Sequence, residues 1–179
     1  MDLNLLRNAV KQERNNLSSE EVNALSLKVA NNFFSLDFIK DKHSFFIYNS
    51  IKNEVETAHI ISRLQDLGKT LCFPLTVGDD MLAVKPTSSE WTVGDFGVKI
   101  PTSYEALESV DVAVIPLLIC DKNKNRVGYG KGYYDRFLKD KNIIKIGLAY
   151  DFQVVESLTP NKWDIPLDII ITPTQILGE

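Results

Sequence analysis

Between Val110 and Cys120 the chain reads VDVAVIPLLIC, its most continuous apolar stretch. A strand with one face in water alternates apolar and polar residues. Valine, alanine and isoleucine following one another require cover on both faces, the situation of a central strand in a parallel sheet between helices. A chain of 179 residues is long enough to bury such a strand within a single domain spanning residues 1–179.

The remaining patterns agree with this. Leu3, Leu6 and Val10 recur at helical spacing, with Arg7, Lys11 and Arg14 as a basic stripe on another face of the same helix. Ser18 and Glu21 have the spacing of a capping box, and Val22, Leu25, Val29 and Phe33 continue as the apolar face of a second helix. Ser44 to Leu75 reads as strand, loop, helix and strand, a βαβ unit with a parallel pair. Ligands of such sheets bind beyond the carboxyl ends of the strands, which directs attention to the loop from Asn49 to Glu56. Met81 to Lys85 is expected to return as a hairpin, Thr87 to Ser109 to be an irregular functional loop, and Asp121 to Asn125 to be a solvated turn. A helix near Gly132–Lys139 and strands over Ile143–Ala149 and Asp168–Thr172 follow. The alternation predicts a three-layer αβα domain with a mostly parallel sheet.

A net charge of -4 and a pI near 5.3 speak against a general nucleic-acid surface, so any phosphate site must be local. Cys72 and Cys120 lie in apolar runs and read as buried thiols of a reducing compartment. No stretch approaches the roughly 20 apolar residues of a membrane span, and a cytoplasmic protein without membrane partners is expected.

The chemistry concentrates in Arg126 to Asp135, RVGYGKGYYD. Gly128, Gly130 and Gly132 permit close backbone approach to a bulky anion. Arg126 and Lys131 can pair with phosphate, a helix start adds partial positive charge, and Asp135 is a candidate Mg²⁺ ligand. The spacing is neither that of a P-loop nor that of a dinucleotide fingerprint. Tyr129, Tyr133 and Tyr134 divide between stacking on a flat ligand and packing the helix. His43 and His59 have no partner pattern and read as surface or locally bonded.

RVGYGKGYYDRFL resembles the signature of the 5-formyltetrahydrofolate cyclo-ligase family, and the N-terminal Leu-Arg, the EVET segment and the GLAYDFQVV and WDIPLDIIIT tail occur in the family's order. The resemblance implies a NagB/RpiA/CoA-transferase-like fold and an ATP- and Mg²⁺-dependent ring closure of a folate. It implies that Arg7 and the run Arg126, Val127, Gly128, Tyr129, Gly130, Lys131, Gly132, Tyr133 and Tyr134 hold ATP, with Lys131 and Arg126 acting on the transferring phosphoryl group. Asp135 and Asp164 are implied as Mg²⁺ ligands, and Asn49, Glu54, Tyr129 and Tyr133 as the folate side, with Glu56 competing for the role of Glu54. A monomer acting on two small molecules is the expectation. Two other readings are an isomerase or acyl-CoA transferase on the same sheet, and a non-catalytic folate or nucleotide binder.

Overall fold

The structure, a computed structural model, describes residues 2–178. Helix α1 (Leu3–Asn15) is capped by Asp2, whose carboxylate accepts from the N–H groups of Asn4 and Leu5 at 2.9 and 3.3 Å. Helix α2 (Ser19–Phe34) starts with the expected capping box: Glu21 N–H donates to Ser18 Oγ at 3.1 Å and Ser18 N–H to Glu21 Oε1 at 3.0 Å. Both satisfy donors that a helix start otherwise leaves unpaired.

Strand β1 (Ser44–Ile47), helix α3 (Ala58–Asp66) and strand β2 (Thr70–Val77) form the βαβ unit, with β1 and β2 parallel. Strand β3 (Asp80–Pro86) returns antiparallel to β2. The segment expected to be irregular instead contains a small hairpin, β4 (Trp91–Val93) and β5 (Lys99–Pro101), and an edge strand β6 (Tyr104–Leu107) paired with β3. These strands are three or four residues long and mostly exposed, so they carry no alternation that a sequence pattern could reveal.

Strand β7 (Val112–Pro116) is buried at every residue and lies between β1 and β10 (Ile144–Leu148). It is followed by β8 (Ile119–Asp121), β9 (Arg126–Val127) and helix α4 (Tyr133–Leu138). The chain ends with β11 (Val154–Val155), β12 (Ile169–Ile171) and β13 (Ile176–Leu177). Strand order in the main sheet is β13-β12-β10-β7-β1-β2-β3-β6, and β12, β10, β7, β1 and β2 run parallel. The fold class is therefore α/β with a mixed, mostly parallel sheet.

Side chains alternate between two cores along these strands. Phe45, Ile47, Val112, Val114, Ile146 and Leu148 face α2 and α3. Phe46, Ala113, Ile115 and Ile170 face α4, where Phe46 stacks on Phe137 with centroids 4.5 Å apart. Asp121 departs from the expectation of a solvated turn, since it is fully buried. Its carboxylate gathers the N–H groups of Asn123, Asn125 and Leu158 at 2.8–3.0 Å, and the Leu158 bond is a non-local demand invisible in the local sequence. Cys72 and Cys120 are buried free thiols, and burial pushes both up to about 12. Among the described residues no helix is long and apolar enough to cross a membrane.

Candidate active site

The carboxyl ends of β1, β2 and β7 border a cleft of about 600 Å³. One wall is the glycine stretch between β9 and α4. Arg126 anchors it from below, with only 6% of its side chain exposed. Its Nη1 lies 3.4 Å from Asp135 Oδ1, its guanidinium carbon lies 5.5 Å from the Tyr134 ring centroid, and its Nε is buried without an acceptor. Burial lowers the Arg126 pKa from its usual range, while Asp135 opposes that shift.

A Cβ on Gly128 would stand 2.8 Å from Arg126 Nη2, so glycine lets the backbone pass over this guanidinium without displacing it. Gly132 adopts φ +71° at the cap of α4, and its own Cβ would meet Arg136 Nη1 at 2.7 Å. Helix α4 has six residues, so anion-attracting power on this wall comes from loop amides and cations more than from a long helix dipole. Lys131 is exposed at the tip and lines the cleft.

Two contacts fix the wall to the turn between β2 and β3. Arg136 donates from Nε and Nη2 to Asp79 O at 3.0 and 2.7 Å and from Nη1 to Lys131 O at 3.0 Å. The Tyr133 hydroxyl donates to Gly78 O at 2.9 Å.

The opposite wall is the loop after β1. Glu54 is 6% exposed, and its Oε1 accepts from Ile51 N–H at 2.8 Å. Its Oε2 accepts from the Tyr129 hydroxyl at 3.1 Å, which joins the two walls. Burial raises the Glu54 pKa, against the Ile51 N–H group, Arg14, Tyr129 and Lys52, which lower it. Asn49 also lines the cleft and donates to Lys99 O at 3.0 Å, tying β5 to the rim. Glu56 lies outside the cleft, and its N–H donates to Ser26 Oγ at 2.8 Å.

Of the expected residues, Arg126, Gly128, Tyr129, Gly130, Lys131, Gly132, Tyr133, Tyr134, Asn49 and Glu54 meet around this one cleft. Three groups do not line it. Arg7 extends along α1 to Asn4 Oδ1 at 3.3 Å, and Val127 packs with Val10, Leu118 and Ile119. Asp135 and Asp164 lie behind Arg126, both close enough to favour its charged form. Asp135 Oδ1 also accepts Ile165 N–H at 3.0 Å, and Asp164 Oδ2 accepts Asn161 N–H at 2.8 Å. Among the described residues each carboxylate keeps one oxygen without a protein donor. Carboxylate oxygens are the donor type that Mg²⁺ takes, one or two with water and phosphate completing its shell, but these two do not line the cleft itself.

The cleft also contains residues that sequence reasoning did not place there. Lys11 and Arg14 line it from α1, and Phe96 closes one side with φ +61° and its ring edge-on to Tyr133 at 6.3 Å. The basic stripe on α1 was the available signal for the first two. For Phe96 the signal was a large aromatic within an otherwise polar segment.

Fold and cleft together define an α/β enzyme with a cationic, glycine-lined site at the carboxyl ends of its strands. The sequence model of the 5-formyltetrahydrofolate cyclo-ligase family matches residues 2–173. The 5-formyltetrahydrofolate cyclo-ligase of Mycoplasma genitalium is 33% identical over 96% of this chain and 98% of its own, and that of Escherichia coli K12 is 26% identical over 93% and 98%. The solution NMR structure of the 5,10-methenyltetrahydrofolate synthetase of Aquifex aeolicus superposes with a TM-score of 0.88 at 36% identity, covering 99% of this chain and 93% of that one. The chain belongs to the 5-formyltetrahydrofolate cyclo-ligase family and carries that family's cyclo-ligase activity.

Proposed function

We propose that the cleft converts 5-formyltetrahydrofolate to 5,10-methenyltetrahydrofolate, driven by ATP, with release of ADP and phosphate. The observation that carries this reading is the 3.1 Å bond from Tyr129 to Glu54, which brings a phosphate-type wall and a buried carboxylate into one cavity. A formyl group on N5 is a poor electrophile because its oxygen would leave as hydroxide. Transfer of the γ-phosphoryl group to that oxygen breaks the bond to ADP and makes the oxygen a phosphate leaving group. The N10 lone pair then attacks the formyl carbon, N10 loses its proton, and the carbon–oxygen bond breaks to release phosphate and leave the methenyl cation.

Such a reaction needs positioning and charge neutralisation more than a protein nucleophile. The loop from Arg126 to Tyr134 would hold the phosphates, with Lys131 nearest the transferring group. Glu54 would accept two N–H groups of the aminopyrimidinone, with Asn49, Tyr129 and Tyr133 lining the folate side. Asp135 and Asp164 would hold Mg²⁺, which supplies neutralisation of phosphate charge. Arg7 would need the loop or the ligand to reach it, so Arg126 and Lys131 carry the phosphate contacts in this reading.

Incubation with 5-formyltetrahydrofolate, ATP and Mg²⁺ is expected to generate the methenyl chromophore. Folded protein that binds both molecules without forming product would overturn the assignment in favour of a non-catalytic binder.

A further inference from the structure

Arg14 is the member of the α1 basic stripe that the fold buries, at 4% exposure. The end of α1 is held in place by Asn53, whose side-chain amide donates to the carbonyls of Arg14 and Leu17 at 2.9 and 3.0 Å. Helix end and Glu54 turn are thereby one piece. The Arg14 guanidinium carbon lies 5.7 Å from the Tyr129 ring centroid, and the same tyrosine donates to Glu54. Arg14 nevertheless forms no ion pair among the described residues, and its Nε is buried without an acceptor. A buried cation in that condition is costly unless acceptors come from elsewhere. Because Arg14 lines the cleft, a bound ligand can supply one.

We infer that Arg14 is a substrate contact that donates to the 4-oxo oxygen of the ring whose neighbouring N–H groups Glu54 accepts. The inference rests on reading the cleft as the 5-formyltetrahydrofolate site. One edge of a 2-amino-4-oxopyrimidine presents, in order, an amino donor, a ring N–H donor and a carbonyl acceptor. A carboxylate takes the two donors and leaves the oxygen needing a donor beside it. Arg14 stands beside Glu54 with a planar fork of N–H groups, of which Nε has no acceptor. Replacing the 4-oxo group with an amino group would turn N–H bonds toward the guanidinium and also make N3 an acceptor facing Glu54, so both the arginine and the carboxylate lose a partner.

The test compares binding of 5-formyltetrahydrofolate with its counterpart carrying a 4-amino group, by calorimetry without ATP. Wild type is expected to prefer the 4-oxo compound by about 10- to 100-fold, the range for a hydrogen bond to a charged donor. Arg14→Met should cut the preference about tenfold or more, leaving the part that Glu54 sets through N3–H, and Arg14→Lys, which keeps the charge in a smaller perturbation, should reduce it less. An equal preference in wild type and in either folded variant, or none in wild type, overturns the inference. Failure of wild type to bind or turn over 5-formyltetrahydrofolate instead removes the functional reading on which it rests. If Arg14→Met does not fold, the lysine variant carries the comparison alone.

Discussion

Gly132→Ala isolates the geometry of the glycine wall. Gly132 sits at φ +71°, where a side chain costs about 1–2 kcal/mol. The added Cβ would lie 2.7 Å from Arg136 Nη1, the atom that donates to Lys131 O at 3.0 Å. Displacing it forfeits a hydrogen bond worth about 0.5–1.5 kcal/mol, for a total of about 1.5–3.5 kcal/mol. Gly68→Ala provides the control, because Gly68 has φ +73° and nothing within 4 Å of its would-be Cβ. The control incurs the backbone cost alone and lies far from the cleft lining. If the cost falls on the whole fold, Gly132→Ala lowers the melting temperature by about 3–14 °C, at about 2–4 °C per kcal/mol for a chain of this size. If the loop yields locally instead, melting is unchanged and the Kd for ATP rises about 13- to 370-fold. Thermal unfolding and ATP titration on both variants separate these outcomes. A Gly132→Ala protein that binds ATP like wild type and melts like Gly68→Ala would refute the view that this residue sets the wall.

Lys131→Ala should abolish methenyl formation while melting stays within about 1 °C of wild type, since surface side chains contribute little to stability. Asp135→Asn should also stop turnover, and it should weaken Mn²⁺ binding measured by electron paramagnetic resonance in the presence of ATP. For Glu54, burial raises the folded pKa, so the folded state holds this proton more tightly than the unfolded chain. That contribution to stability is present below the ordinary value of 4.5 and is lost as pH rises through the raised folded value. Glu54→Gln should therefore lose less melting temperature than wild type across that interval while binding 5-formyltetrahydrofolate more weakly; parallel melting curves would count against it. Cys72 and Cys120, both pushed up to about 12, should resist iodoacetamide in native protein at pH 8 and react in denaturant, as read by mass spectrometry.

The features legible in the sequence were those enforced by local or periodic chemistry. The VAVIP strand, the Ser18–Glu21 capping box and the βαβ unit each follow from neighbours within a few positions. The site was legible where residues cluster in sequence, from Arg126 to Tyr134, and where a strand end directs a loop, at Asn49 and Glu54. What escaped depends on contacts distant in sequence. Which part of the basic stripe enters the cleft is decided by Asn53 gripping the end of α1, so Arg14 is inside and Arg7 is outside. Asp121 reads as a turn residue until Leu158 arrives to claim its carboxylate. The β4–β5 hairpin gains its role by bordering the cleft from Gly94 to Ile100, a role that exposed three-residue strands do not announce.

The glycine wall is moored to Gly78 and Asp79 through their backbone carbonyls alone. Every residue type has that carbonyl, so point changes at Asp79 leave the mooring chemically intact, whereas Gly78, at φ +61°, resists any side chain. A change in the turn's length does not leave it intact, because the paired residues Val77 and Asp80 fix where the two oxygens stand. The hairpin is therefore held by its residue count and by one glycine while Asp79 is free to change, and a gap or insertion there would mark a chain whose phosphate wall is held by other means.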